Sequence, residues 1–145
     1  MNSHADGATV PVTATQLARL LQFGDSMLPI GGFSFSGGLE SAIQKGVVTD
    51  VASLGEFTRT AVEQAARGDG IAIVCAHRAA LVGDIEELLR IDARVYARKL
   101  SSETRSMSTK MGRKFTELGA HVTGAATMRD WRERVLSGAT PGCYP

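Results

Sequence analysis

The hydroxyls and carboxylates that stand closest together in the first part of the chain are Asp25, Ser34, Ser36 and Glu40. A serine beside a base and a carboxylate can act as a nucleophile, yet no histidine lies near these four and no nucleophile-elbow pattern surrounds either serine. Enzymatic chemistry is therefore not expected. Thiol and imidazole ligands are as sparse: His4, His77, His121, Cys75 and Cys143. Cys75 and His77 lie two positions apart on a predicted helix, which turns their side chains about 200° from each other and prevents joint chelation. Without the spacing of zinc-type ligands, Cys75 reads as a buried structural cysteine and His77 as a surface residue, and no metal site is expected.

Phosphate chemistry has two possible footholds. A Gly-x-x-x-x-Gly-Lys-Ser/Thr cradle does not occur, and the glycines near Ile30 follow no strand pattern, so nucleotide binding is not expected. The stretch from Arg90 to Lys114 is different: eight basic residues stand against Asp92 and Glu103, a local charge of +6. Such a run could track a phosphate backbone, which makes a small all-helical nucleic-acid binder the alternative reading. Against it, no aromatic residues interleave to stack on bases, and a solvated helix face accounts for the charges. Within the run, the planar fork of Arg105 suits a carboxylate on a partner or on a neighbouring helix.

The loop from Leu28 to Gly38 is the least ordinary segment. Pro29, Gly31, Gly32, Phe33, Phe35, Gly37 and Gly38 combine stiff anchors with close backbone approach. A packed interhelical corner and a partner-facing surface are both compatible with that composition.

The elements that position these residues follow from apolar period and capping signals. Thr13 with Gln16 has capping-box spacing, and Leu17, Leu20 and Leu21 recur at helical period to about Phe23. Leu39, Ala42 and Ile43 start a short helix that Gly46 ends with a positive φ. Ser53 with Glu56, or Asp50 as a rival cap, opens a helix whose stripe of Leu54, Phe57, Ala61, Val62 and Ala65 stops at Gly68. Asp69 then caps a segment with Ile71, Val74, Cys75 and Leu81 facing inward. Asp84 with Glu87 begins a longer helix through Leu88, Ile91 and Val95, its acids and bases ordered to suit the helix dipole. Ser101 or Ser102 caps another, carrying Met107, Met111, Phe115 and Leu118, the methionines as core filler. Thr127 or Asp130 opens a last helix with Met128, Trp131 and Val135 on one face before Gly138. No window alternates like a strand. The expectation is an all-α fold, an irregular bundle of about seven helices.

Length and composition agree. The 145 residues suit one helical domain, residues 13–145, behind a flexible leader, residues 1–12. With 43% hydrophobic and 21% charged residues and a net charge of +1, the chain is neither charge-rich and disordered nor built for lipid. No apolar run approaches a membrane span, the leader lacks an apolar signal segment, and two cysteines make no disulfide framework. A cytoplasmic protein is expected.

Asp25 Ser26, then Leu28 Pro29 Ile30 Gly31 Gly32 Phe33 Ser34 Phe35 Ser36, then Gly38 Leu39 Glu40, resemble the urease accessory protein F family. Looser matches are Glu103 Thr104 Arg105 with Ser108 and Gly112 Arg113, and the ending Thr140 Pro141 Gly142 Cys143 Tyr144 Pro145. The family usually carries histidine where Cys143 stands and continues past Tyr144 Pro145, so the chain looks like a member shortened by roughly its last third. The resemblance implies an all-helical, non-enzymatic assembly factor that matures the nickel enzyme urease. Its partners would be accessory protein D (H in some species), the GTPase accessory protein G and the urease apoprotein, with a homodimer inside the complex. Nickel and GTP would be handled by that complex, without a cofactor bound by this chain. On this reading we expect the contact surface to be Phe33, Ser34, Phe35, Gly38 and Glu40, on a loop shaped by Pro29, Gly31 and Gly32. Arg105 and Arg113 would be surface pairing groups or internal struts.

Overall fold

In the computed structural model, which describes residues 11–32 and 35–144, every regular element is helical and no strand occurs among the described residues. Seven α-helices follow in order: α1 Ala14–Phe23, α2 Leu39–Gln44, α3 Val51–Ala65, α4 Ile71–Leu81, α5 Ile85–Arg98, α6 Ser102–Thr123 and α7 Ala126–Ser137. The expected starts hold where side chains can reach back to orphan amides. Thr13 and Gln16 exchange bonds in a capping box at α1, Asp84 accepts from the Glu87 N–H at α5, and Ser101 accepts from the Thr104 N–H at α6. At α3 the cap is Asp50, whose carboxylate takes the Ser53 N–H at 2.8 Å. That backbone bond, with the Ser53 hydroxyl, holds the Asp50 carboxyl below its usual value.

Three sequence expectations are corrected. The stop at Gly68 does not occur: Ala66–Gly70 form a π-helical turn that joins α3 to α4, so the seven helices make six rods. Glycine weakens a helix by about 1 kcal/mol without forbidding it. Here the Asp69 carboxylate, expected as a cap, instead pairs with Lys99 at 2.7 Å and ties the turn to the end of α5.

The inward face of α4 is also different. Ala72, Ala76 and Ala79 meet Ile91 and Val95 of α5, while Ile71, Val74 and Leu81 stay exposed. The small alanines form the face packed against α5, and the larger aliphatics are turned out. Cys75 is exposed with them rather than buried. Helix α7, third, has no side-chain cap; its N-cap is Ala125, whose N–H is taken by the Thr123 hydroxyl at 3.2 Å.

The apolar core is thin. Ile30, Ala42, Val48, Ala79, Ile91 and Val95 are its buried hydrophobic residues among those described. Helix α1 buries nothing, leaving Leu17, Leu20 and Leu21 exposed. Helix α6 buries small and polar residues, Ser108, Gly112, Thr116 and Gly119, while Met107, Met111, Phe115 and Leu118 are only half-buried. No helix among the described residues is long and apolar enough to cross a membrane.

Candidate functional site

The loop between α1 and α2 is built from turns. The Asp25 carboxylate accepts from the Met27 N–H at 2.8 Å, and Ile30 is buried as the loop's anchor. Gly31 (φ 87°), Gly37 (φ 61°) and Gly38 (φ 93°) hold conformations that a Cβ would strain. Gly32 lies against α6, where a Cβ would come within 3.1 Å of the Met111 methyl. Phe33 and Ser34 lie outside the described residues. Phe35, 49% exposed, lines a shallow groove with Ser102, Glu103, Ser106, Met107 and Lys110 at the start of α6. Gly38 precedes α2, and Glu40 is exposed in its first turn, where the dipole favours a carboxylate.

The two arginines left open by the sequence divide. Arg105 is a strut: its Nε donates to the Lys99 carbonyl at 2.7 Å and its Nη2 to the Leu100 carbonyl at 3.3 Å. Its guanidinium also sits 5.8 Å from the centre of the Tyr96 ring. It closes the α5–α6 corner. Arg113 is a surface residue, paired loosely with Glu117 at 3.4 Å, and Lys114 shares that carboxylate at 3.1 Å. Both cations hold the Glu117 carboxyl below its ordinary value, Lys114 more strongly.

The residue that sequence reasoning missed is Asp92. It is 6% exposed, and its carboxylate gathers the strap that follows α7. Oδ2 accepts from the Thr140 hydroxyl and from the Gly142 N–H at 2.7 Å, and Oδ1 from the Cys143 N–H at 2.8 Å. No cation pairs with Asp92 among the described residues. Its two oxygens are met by donors alone, and hydrogen bonds to a carboxylate are among the stronger ones. The signal was present: Leu88, Ile91, Asp92 and Val95 share one face of α5, and a carboxylate on an apolar face needs donors from elsewhere.

Helix α6 completes the clasp. The Ser108 hydroxyl donates to the Tyr144 carbonyl at 2.7 Å, and the Tyr144 N–H donates to the Ser108 carbonyl at 2.9 Å. Gly112 admits the strap; a Cβ there would collide with the Gly142 carbonyl oxygen and stand 2.8 Å from the Cys143 carbonyl carbon. Tyr144 packs at a tilt against Phe115 with ring centres 5.5 Å apart, and Phe115 meets Phe23 of α1 edge-on at 5.5 Å. The Cys143 thiol is pushed up to about 11, by burial first and the Asp92 charge second. A thiol held protonated is a poor metal ligand. No group of three or more metal-ligating side chains occurs among the described residues.

The three strings singled out in the sequence thus meet on one helix. The glycine-rich loop touches Met111 and the groove at the start of α6, the string around Arg105 and Gly112 is α6 itself, and the ending is clasped to Ser108 and Gly112. The nucleic-acid alternative gains no support from this geometry. Five of the eight basic residues in the run are engaged: Arg90 with Glu87, Lys99 with Asp69, Arg113 and Lys114 with Glu117, and Arg105 with backbone carbonyls.

The UreF family model matches residues 48–145. The "Urease accessory protein UreF 2" of Brucella canis is 55% identical over 129 residues, 89% of this chain and 53% of its own length. The "Urease accessory protein UreF 1" of Brucella melitensis is 54% identical over 129 residues, 89% and 54%. The "Urease accessory protein UreF" of Yersinia pseudotuberculosis is 47% identical over 134 residues, 92% and 59%. The chain spans a little over half the length of these relatives. No solved structure matches it. With the family model covering more than half of its residues, and relatives this similar along about nine-tenths of it, the chain belongs to the UreF family.

Proposed function

We propose that this chain is a urease-maturation assembly factor that works by positioning other proteins rather than by chemistry of its own. Its partners are the accessory protein D or H, the GTPase accessory protein G and the urease apoprotein, and a homodimer forms within the complex. Nickel is cargo and GTP is hydrolysed on the partner, so neither needs a resident site here. The observation that carries this reading is the convergence on α6: the loop, the α6 string and the strap share one scaffold, with Phe35 exposed in a groove on it and Glu40 exposed at the start of α2. An exposed aromatic on a loop anchored by buried Ile30, followed by an exposed carboxylate in the first turn of α2, suits contact with another protein.

The test is co-purification of the tagged chain with accessory proteins D and G, alongside urease activation in cells. Phe35→Ala and Glu40→Ala should keep helicity and expression while lowering both capture and activation. Normal capture and activation by both variants would remove this surface from the function.

A further inference from the structure

The loop, the α6 string and the strap leave the side of the molecule where the π turn meets α5. There Gly68 and Asp69 of the turn border a cavity of about 140 Å³. Buried Ile91 and Val95 line it together with Ala72 and the exposed Ile71, and the exposed Arg94 and Arg98 line it as well. Arg98 lies over the turn beside Gly68, its Nη2 within ordinary van der Waals reach (3.6 Å) of a Cβ placed there. A π turn inside a helix is uncommon and recurs at functional sites.

Charge decides what the cavity would take. Asp69 and Glu87 also line it, but each already has a cation, Lys99 at 2.7 Å and Arg90 at 2.8 Å. Arg94 and Arg98 have no carboxylate within ion-pair distance among the described residues. Two guanidinium groups are therefore left for an anion, and their planar forks match a carboxylate. The apolar lining adds a second requirement, since a bare inorganic anion would leave it unused. The volume admits a head group and a few carbons, far less than a nucleotide.

We propose that this cavity is a carboxylate-binding site, taking an anionic head on a short hydrocarbon stem. Arg94 and Arg98 hold the head, and Ile71, Ile91 and Val95 cover the stem. A free short-chain acid and a glutamate side chain of a partner polypeptide both carry that chemistry. The proposal does not rest on the urease reading, and its test involves no accessory protein, so either can fail alone.

The test is an NMR titration of the isotope-labelled full chain with butyrate and with a blocked Gly-Glu-Gly tripeptide, against butyramide and the glutamine tripeptide as neutral controls. Saturable shifts are expected at the amides of Gly68 to Ala72 and Arg94 to Arg98. The neutral compounds should bind at least about tenfold more weakly. The double variant Arg94→Gln/Arg98→Gln should lose saturation with helicity unchanged. Cys75 lines the same cavity and is exposed, so a second readout needs no variant: butyrate should slow its alkylation and butyramide should not. Tighter binding of butyrate assigns a free acid as the source, and tighter binding of the glutamate peptide assigns a partner side chain. Absence of saturable shifts with both carboxylates, or equal responses to the neutral compounds, would overturn the proposal.

Discussion

Asp92→Asn changes almost no volume but removes the charge and one of the two acceptor oxygens that hold the strap. If the remaining amide oxygen keeps Thr140 and Gly142, the –NH₂ group faces the Cys143 N–H, donor against donor. Turned the other way, two strap donors lose their acceptor. A bond to a charged acceptor contributes about 1.5–3 kcal/mol, and a buried donor left unpaired costs about 1–3 kcal/mol. Asparagine should thus weaken strap docking by roughly 2–5 kcal/mol, offset in part because an ion no longer has to be buried. The strap can lift into water and satisfy its donors there. The loss should therefore appear as local opening, not as unfolding of the α4–α5 pair.

Cys143 reports that opening. Docked, its thiol sits near 11; released, it returns toward the ordinary 9.0, and the thiolate fraction at pH 8 rises about a hundredfold. The assay is iodoacetamide alkylation at pH 8 in a Cys75→Ser background, paired with hydrogen exchange at the Gly142 and Cys143 amides. Exchange separates true opening from the mere loss of the Asp92 charge beside the thiol. Alkylation within about twofold of the parent rate, with unchanged exchange at both amides, would refute the clasp.

Gly112→Ala should release the same strap by collision with Gly142, and combined with Asp92→Asn its effect on Cys143 alkylation should be far less than additive. Arg105→Ala, which strips the Lys99 and Leu100 carbonyls of their donor, should lower stability by about 1–3 kcal/mol, against about 0–1 for the exposed Arg113→Ala, both read by urea unfolding. The folded Cys143 thiol lies above its unfolded value, so its contribution is complete below pH 9 and lost as the pH rises through about 11. The urea midpoint should fall across that window, and the fall should shrink in Cys143→Ala. The dilute chain should bind a hydrophobic dye through Leu17, Leu20 and Leu21 of α1, and a sharp two-state thermal transition without dye binding would contradict the exposure found there.

Legibility in the sequence followed the range of the interactions involved. Helix starts depend on residues three positions apart, so Thr13, Asp84 and Ser101 were visible as caps and were found as caps. Just after Gly68, Asp69 is tied to Lys99, thirty positions further on, a contact that local propensity cannot register. Helix α4 misled for a related reason. Its aliphatics outweigh its alanines in any periodicity argument, yet close packing against α5 selects the small face. Asp92 was counted only as a negative charge inside a basic run, because its partners lie 48 to 51 positions downstream. For the loop, the glycines with positive φ were legible as turns, whereas its seat against Met111 was not.

The strap matters more here than it would in a protein with a large core. Helix α6 buries Ser108, Gly112, Thr116 and Gly119, residues that contribute little apolar area, so its position depends on hydrogen bonds and on the Phe23, Phe115 and Tyr144 rings. The loop that carries Phe35 rests on the same helix. Stability and surface geometry are therefore coupled at α6: weakening the clasp at Asp92 loosens the support of the loop. By the same linkage, a protein that binds the loop and α6 together stabilises the strap without touching it. Such a partner should slow Cys143 alkylation in the wild-type chain, and it should recover part of what Asp92→Asn loses.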